Sequence, residues 1–189
     1  STGHHTSYID RHALFCERSS RAHNTILVNG MGQRIGIEGY GWIPRYYVGD
    51  KIGYVVGDAS NAYGKVVSET WKKRAAELNI ELSPENGWDD VPLNTFRRHI
   101  VELGRTGLTF IYDELEASEP VPWSYLLHTI TNPMEVDESN GKYTYIKGTA
   151  KKGVSEAFLF STGKLGLDVT DKFFAPADNW LKADANGNF

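Results

Sequence analysis

The chain has 189 residues, 40% of them hydrophobic, and carries a formal net charge of -4 with a pI near 5.9. This length suits one domain with a sizeable core. The acidic balance disfavours a surface field that would gather DNA or RNA, so we expect no nucleic-acid partner. No apolar run approaches the roughly 18 to 20 residues of a membrane-spanning helix, so we expect no membrane span.

Strand-forming residues and glycine-containing turns dominate the first third of the chain after an irregular N-terminal segment. Apolar and β-branched runs predict strands at 25–29, 33–38, 42–48 and 52–57. Residues 69–82 break this pattern, because Trp71, Ala75 and Leu78 recur at helical spacing and Ser68 can cap the start. We expect one short helix, or an irregular insertion, near 69–82.

Strand character returns in the second half of the chain. The runs that predict strands lie at 95–103, 107–115, 123–130, 142–148 and 155–162, with a weaker one at 165–170. The turn at 104–107 predicts a hairpin, and Asn140-Gly141 is a hairpin-turn dipeptide. Many short strands with a single helical interruption predict an all-β fold, a two-sheet antiparallel β-sandwich that spans residues 1–189 as one domain.

Ionisable side chains concentrate at the N-terminal end. Four of the six histidines lie within the first 23 residues, together with Tyr8 and several arginines. Histidine and tyrosine can transfer protons, and arginine can pair with a carboxylate, so this composition suits an acidic sugar. The common nucleotide-binding, hydrolase and metalloprotease motifs are missing from the sequence. Exposed loop histidines without a function are the simpler alternative.

A polar His23-Asn24 pair leads directly into the apolar strand predicted at 25–29. A strand directs its side chains to alternate faces, so His23 can point toward a ligand from the mouth of this strand. The alternative is a purely structural role, in which a histidine at such a position caps or hydrogen-bonds a neighbouring loop.

The segment at 21–33, RAHNTILVNGMGQ, resembles the Ala-His-Asn-Thr segment of the heparinase II/III-like polysaccharide lyases. Residues 57–63 and 112–129 are also similar to that family. The resemblance extends to about residue 130. It implies a supersandwich-like C-terminal domain of a larger bacterial protein, with an upstream helical toroid domain. It also implies a periplasmic or secreted location.

The same resemblance implies an activity. Such enzymes cleave uronic-acid-containing polysaccharides, such as heparin, heparan sulfate or alginate, by β-elimination in a cleft between the two domains. It implies that His23 is a zinc ligand and that Tyr8 is a catalytic proton-transfer residue. We expect His12 and Asn24 to bind substrate, and the alternative for Asn24 is that it fixes the entry to the strand by hydrogen bonds.

The sequence departs from the family's zinc pattern. The strand that would supply another metal histidine is absent, and residues 1–3, Ser-Thr-Gly, lack the expected aspartate. A single ligand cannot make a tight zinc site, so we expect zinc in the full-length family enzymes rather than in this chain. We also expect the chain alone to be inactive, supplying one wall of the cleft.

Two alternatives remain. The chain could be a non-catalytic carbohydrate-binding or structural module that uses exposed aromatics such as Trp42, Trp88 or Trp123, or a lyase-like protein that has lost zinc. At two polar positions a structural role is expected: Asp58 organises a turn, and the side chains at 97–98, both Arg, face opposite ways along a strand.

Overall fold

Antiparallel strands make up most of the ordered architecture. The computed structural model describes residues 14, 18–128, 134–139 and 141–170. The predicted site residues Tyr8 and His12 lie outside this part of the chain, whereas His23 and Asn24 lie inside it.

Nine strands and one α-helix form the described architecture. The helix, α1, is Glu69–Glu77. The strands are β1 (Ile26–Val28), β2 (Trp42–Val48), β3 (Gly53–Asp58), β4 (Leu93–Leu103), β5 (Leu108–Ala117), β6 (Trp123–Tyr125), β7 (Glu135–Asp137), β8 (Thr144–Ala150) and β9 (Gly153–Leu159). They form three antiparallel sheets, ordered β1-β6, β2-β3-β4-β5 and β7-β8-β9. The predicted all-β, sandwich-like fold with one short helix is therefore confirmed, with three sheets where two were expected.

The β4–β5 hairpin is the longest strand pair. It extends from Leu93 opposite Ala117 to Leu103 opposite Leu108. The turn between the strands is a short 3-10 segment, followed by Gly107 at φ 72°. Glycine adopts a positive φ without the steric cost that a side chain would bring. The hairpin predicted around 104–107 is confirmed.

Helix α1 packs through one face onto an apolar cluster. Ala75 is only 1% exposed and lies among Ile35, Val66 and Trp88, with Trp71 packed at the edge. The repeat of apolar residues at helical spacing places them together, as predicted. Ser68 occupies the position before the helix, but its side chain makes no capping hydrogen bond.

A second apolar cluster joins the two-stranded sheet to the four-stranded sheet. Ile26 and Val28 of β1 lie against Phe96 of β4, with Ala62 and Tyr63 from the connecting segment. Val28 is fully buried. The cluster thereby holds the two-stranded sheet, and the segment that precedes β1, against one end of the four-stranded sheet.

Three local predictions are wrong, and one strand was not predicted. Residues 33–38 form no strand beyond an isolated bridge from Gln33 to Tyr63, because Ile35 turns into the helix cluster and Gly36 has φ 125°. Residues 165–170 contain no strand, and β7 was not predicted. Trp88, proposed as an exposed aromatic, is a core residue that is 3% exposed.

Among the residues that the structure describes, no helix is both long enough and apolar enough to cross a membrane.

Candidate functional site

A short 3-10 turn presents His23 at the approach to β1. The turn spans Ser20–Ala22, and the hydroxyl of Ser19 accepts a hydrogen bond from the backbone of Arg21 at 3.3 Å. His23 follows in an extended conformation, and its backbone N–H donates to the carbonyl of Ser20 at 3.1 Å. Its side chain is half-buried. The predicted placement of a histidine just before the strand is confirmed.

Asn24 ties this segment to His128, which lies far away in sequence. The backbone N–H of His128 donates to Asn24 Oδ1 at 2.7 Å, and the His128 ring Nδ1 lies 3.2 Å from the same oxygen. The backbone N–H of Leu126 donates to the carbonyl of Thr25 at 2.9 Å, which continues the pairing of β1 with β6. Nothing in the local sequence predicts this contact, because the two residues lie 104 positions apart.

His23 and His128 are close enough to influence each other electrostatically. Partial burial is the main cause that lowers the pKa of His128, and the nearby His23 lowers it further. A hydrogen bond with the backbone of Arg21 opposes both effects. Burial disfavours the charged imidazolium, so His128 keeps a neutral ring to lower pH than an exposed histidine does. A neutral imidazole can accept a proton.

This shift predicts a pH-dependent stability. The pKa of His128 is lower in the folded state, so below about pH 6.5 the unfolded chain binds protons more readily and folding is weakened. The stabilisation is complete above that pH and is lost as the pH falls through the folded pKa. Urea unfolding of the wild type and of His128→Asn, between about pH 8 and pH 5, should show a shallower loss in the variant. Parallel pH profiles for the two proteins would contradict this.

Arg98 binds the backbone carbonyl of Asn24, whereas His128 binds its side chain. Its Nε and Nη2 donate to the two carboxylate oxygens of Asp113 at 2.7 and 2.8 Å, and its Nη1 donates to the carbonyl of Asn24 at 3.1 Å. The guanidinium also lies 5.5 Å from the ring centre of Tyr125. The hydrogen bond to Asp113 is the main cause that raises the pKa of Arg98. The arginine therefore stays charged and holds the histidine segment against the sheet.

A cleft of about 340 Å³ opens beside this segment. Thr25, Gln33 and Arg98 belong to its lining, as do the aromatic residues Trp42 and Phe96. Trp42 is 44% exposed, so part of its ring is free to contact a ligand. A partly exposed tryptophan beside a few polar residues is a common feature of sites for small polar ligands.

Tyr63 packs against β1 and does not suit a proton-transfer role. Its hydroxyl donates to the carbonyl of Ile26 at 2.6 Å, and burial raises its pKa to about 12. Because the phenol stays protonated and committed to the backbone, Tyr63 stabilises the start of β1.

The polar residues of β3 and β4 behave as expected from their positions. Arg97 Nε donates to Asp58 at 2.8 Å, while Arg98 points to the opposite side of the sheet. Asp58 also accepts the backbone N–H of Ser60 at 3.0 Å, as a turn-forming aspartate does. Burial would raise the pKa of Asp58, but the bonds from Arg97 and Ser60 outweigh it and lower the pKa. Both structural predictions are confirmed.

No complete metal site is visible within the described ranges, where no group of three or more histidine, cysteine, aspartate or glutamate side chains could hold an ion. His23 and His128 provide two neighbouring imidazoles, which is fewer than a structural or catalytic zinc requires. The assignment of His23 as a zinc ligand stays a prediction.

The structure confirms the positions of some predicted site residues, while their roles toward substrate stay predictions. His23 and Asn24 lie together, joined to His128 and Arg98, which the sequence analysis did not assign to the site. The roles of Tyr8, His12 and Asn24 toward substrate stay predictions. A Leu-His step after β6 was visible in the sequence, but only the strand pairing shows that it meets Asn24.

No protein-family model matches the chain, and no curated protein matches it significantly.

Proposed function

We propose that this domain forms one wall of a cleft that binds a uronic-acid-containing polysaccharide, as part of a bacterial lyase that cleaves the polymer by β-elimination. The observation that carries the proposal is the adjacency of the histidine segment and the cleft. Thr25 lines the cleft and follows Asn24 directly, while Arg98 both lines the cleft and binds the carbonyl of Asn24.

The reaction explains the side chains that meet here. A base removes the proton next to the uronate carboxylate, and an acid protonates the departing oxygen. A half-buried histidine pair suits proton transfer, because His128 is held neutral and its ring is oriented by Asn24. Arg98 is already engaged by Asp113 and Asn24, so it positions the segment and leaves neutralisation of the uronate to other groups.

The proposal requires a second wall from the upstream helical domain, and it implies a periplasmic or secreted full-length protein. The chain alone should therefore not turn over heparin, heparan sulfate, chondroitin or alginate, whereas a longer protein that includes the upstream region should. Ultraviolet absorbance of the unsaturated uronate product measures the reaction. Robust turnover by the chain alone would contradict the need for a second wall.

Trp42 provides a sharper test of the cleft. In the longer protein, Trp42→Ala should raise KM by up to about tenfold, since aromatic contacts of this kind contribute roughly 0.5–1.5 kcal/mol. Phe158→Ala is the matched control, because Phe158 is an exposed aromatic of the third sheet, 53% accessible. Equal KM values for the two variants would remove Trp42 from the substrate site.

A non-catalytic glycan-binding module is the second candidate, favoured by exposed rings at the first strand of the large sheet. Tyr46 is 73% exposed, and the rings of Tyr40 and Trp42 lie 5.9 Å apart. Such a module would bind oligosaccharide without any upstream domain. Calorimetric titration of the chain alone separates the candidates, because a half-cleft should bind weakly and a self-contained module measurably.

A further inference from the structure

The four-stranded sheet carries charged and aromatic side chains on the face that points away from Arg98. Side chains alternate between the two sides of a strand, so residues paired across strands share a face. One row on this face, which we call the His99 face, runs across all four strands as Arg45, Val56, His99 and Tyr112. Tyr47 and Tyr54 begin the neighbouring row.

A tyrosine and a histidine form the centre of the His99 face. Tyr54 Oη lies 2.9 Å from His99 Nδ1, with the two rings stacked at 6.2 Å between centres. The ring of Tyr112 lies 5.6 Å from that of His99. Tyr112 and Tyr47 are 66% and 60% exposed, so their rings are accessible on either side of the pair.

The His99 ring has an unsatisfied nitrogen. Its Nε2 is buried and has no hydrogen-bond partner among the described residues, and the nearest carboxylate oxygen, on Glu114, is 3.7 Å away. A buried polar atom without a partner is costly, and a bound ion, water or ligand is one way in which such an atom is satisfied. The exposed Tyr112 ring packs against the same imidazole, so a ligand that contacts Tyr112 lies beside His99.

Arg45 supplies an uncommitted positive charge on the same face. It is exposed and makes no ion pair or hydrogen bond with the described residues, whereas Arg97 is bonded to Asp58. Guanidinium binds a carboxylate through two parallel hydrogen bonds. Arg45 pairs with Val56, one row from Tyr54, so at ordinary strand spacing its Cα lies within about 10 Å of those of Tyr54 and His99. Tyr112 is three strand spacings away along the same row, about 14 Å.

We propose that the His99 face binds a carboxylated saccharide, with Arg45 on the carboxylate, the rings of Tyr47 and Tyr112 against the sugar, and Tyr54 and His99 bonded to hydroxyl groups. This site uses none of the residues around His23 or the Trp42 cleft, so it goes beyond the function proposed above.

Titration of the chain with tetragalacturonate, followed by NMR of the histidine ring protons at constant pH, tests the proposal. A saturable shift of the His99 resonance is expected. Arg45→Gln should weaken binding by about tenfold or more, a loss of about 1.4 kcal/mol. Tyr54→Phe should weaken it several-fold while keeping the ring. Arg105→Gln, which removes an exposed arginine from the turn between β4 and β5, is the control and should bind as the wild type does.

Three outcomes would overturn the proposal: no shift at His99, equal affinity of the wild type and Arg45→Gln, or equal binding of the uncharged maltotetraose. Displacement of tetragalacturonate by inorganic phosphate at equal concentration would also contradict the proposal, because it would show a general anion site. Shifts confined to His23 and His128 would support the cleft and contradict the His99 site, so the two proposals can fail separately.

Discussion

Replacing Asp113 by leucine is expected to lower the free energy of unfolding by about 3 kcal/mol, because it leaves the Arg98 charge without its partner. The side chains of Arg98 and Asp113 are only 19% and 12% exposed, and two hydrogen bonds join them. Removing one member of a buried ion pair costs far more than the pair itself contributes. Urea unfolding monitored by tryptophan fluorescence measures the change.

A double variant distinguishes loss of the Arg98–Asp113 ion pair from loss of side-chain packing. Arg98→Met combined with Asp113→Leu should be less destabilised than Asp113→Leu alone, because no buried charge remains. Glu135→Ala is the control, since Glu135 forms a cross-strand pair with Lys147 and is 63% exposed. An exposed pair contributes less than about 1 kcal/mol. Equal losses in Asp113→Leu and Glu135→Ala would contradict the assigned role.

The Arg98–Asp113 pair should also determine how the histidine rings of the candidate site are positioned. Arg98 donates to the carbonyl of Asn24, and Asn24 in turn binds His128. The Arg98→Met, Asp113→Leu double variant should therefore move the ring resonances of His23 and His128, even though the fold is retained. Unchanged histidine resonances would show that Arg98 does not position the segment.

Phe96→Ala is expected to cost about 3–5 kcal/mol of unfolding free energy, the usual loss for a large buried aromatic. Phe96 is 3% exposed and lies between β1 and the large sheet, with its ring centre 5.9 Å from that of Tyr63. The substitution removes contacts from both sheets and leaves a cavity between them. Thermal unfolding should show a correspondingly large decrease in Tm.

Phe160→Ala is the matched control for this prediction. Phe160 is 72% exposed, and its replacement should change the unfolding free energy by about 0.5 kcal/mol or less. Similar losses for the two phenylalanines would show that the junction between β1 and the large sheet does not depend on Phe96.

Elements with strong local signals were predictable. The β4–β5 hairpin follows from two apolar runs around a glycine turn, and α1 follows from the spacing of Trp71 and Ala75. The opposite directions of Arg97 and Arg98 follow from strand geometry alone. Each of these features depends on residues within a few positions of one another.

Elements decided by distant packing were not predictable. Residues 33–38 have strand-like composition, but Ile35 is drawn into the cluster beneath α1 and the chain turns at Gly36. Trp88 has the appearance of a ligand-stacking ring, yet it lies in that same cluster. Burial of a large ring is set by what packs against it, and the local sequence does not encode those neighbours.

The candidate site shows the same division. The Ala22-His23-Asn24 step, visible in the sequence, marks the approach to a strand, and its position there is confirmed. Its partner His128 lies 104 residues from Asn24 and meets it only because β6 pairs with β1. The chemistry available at a histidine depends on such partners, because they orient the ring and set its protonation.

By itself, the sequence determined an antiparallel β architecture, its main hairpin, its helix and the segment that carries His23. Strand alternation, turn residues and helical periodicity are local properties of the chain, so composition and spacing suffice for them. Only the tertiary structure decided that Arg98 and His128 converge on Asn24 and that Arg45, Tyr54 and His99 share a second face. Those groupings arise from strand pairing across long separations, which sequence spacing does not specify.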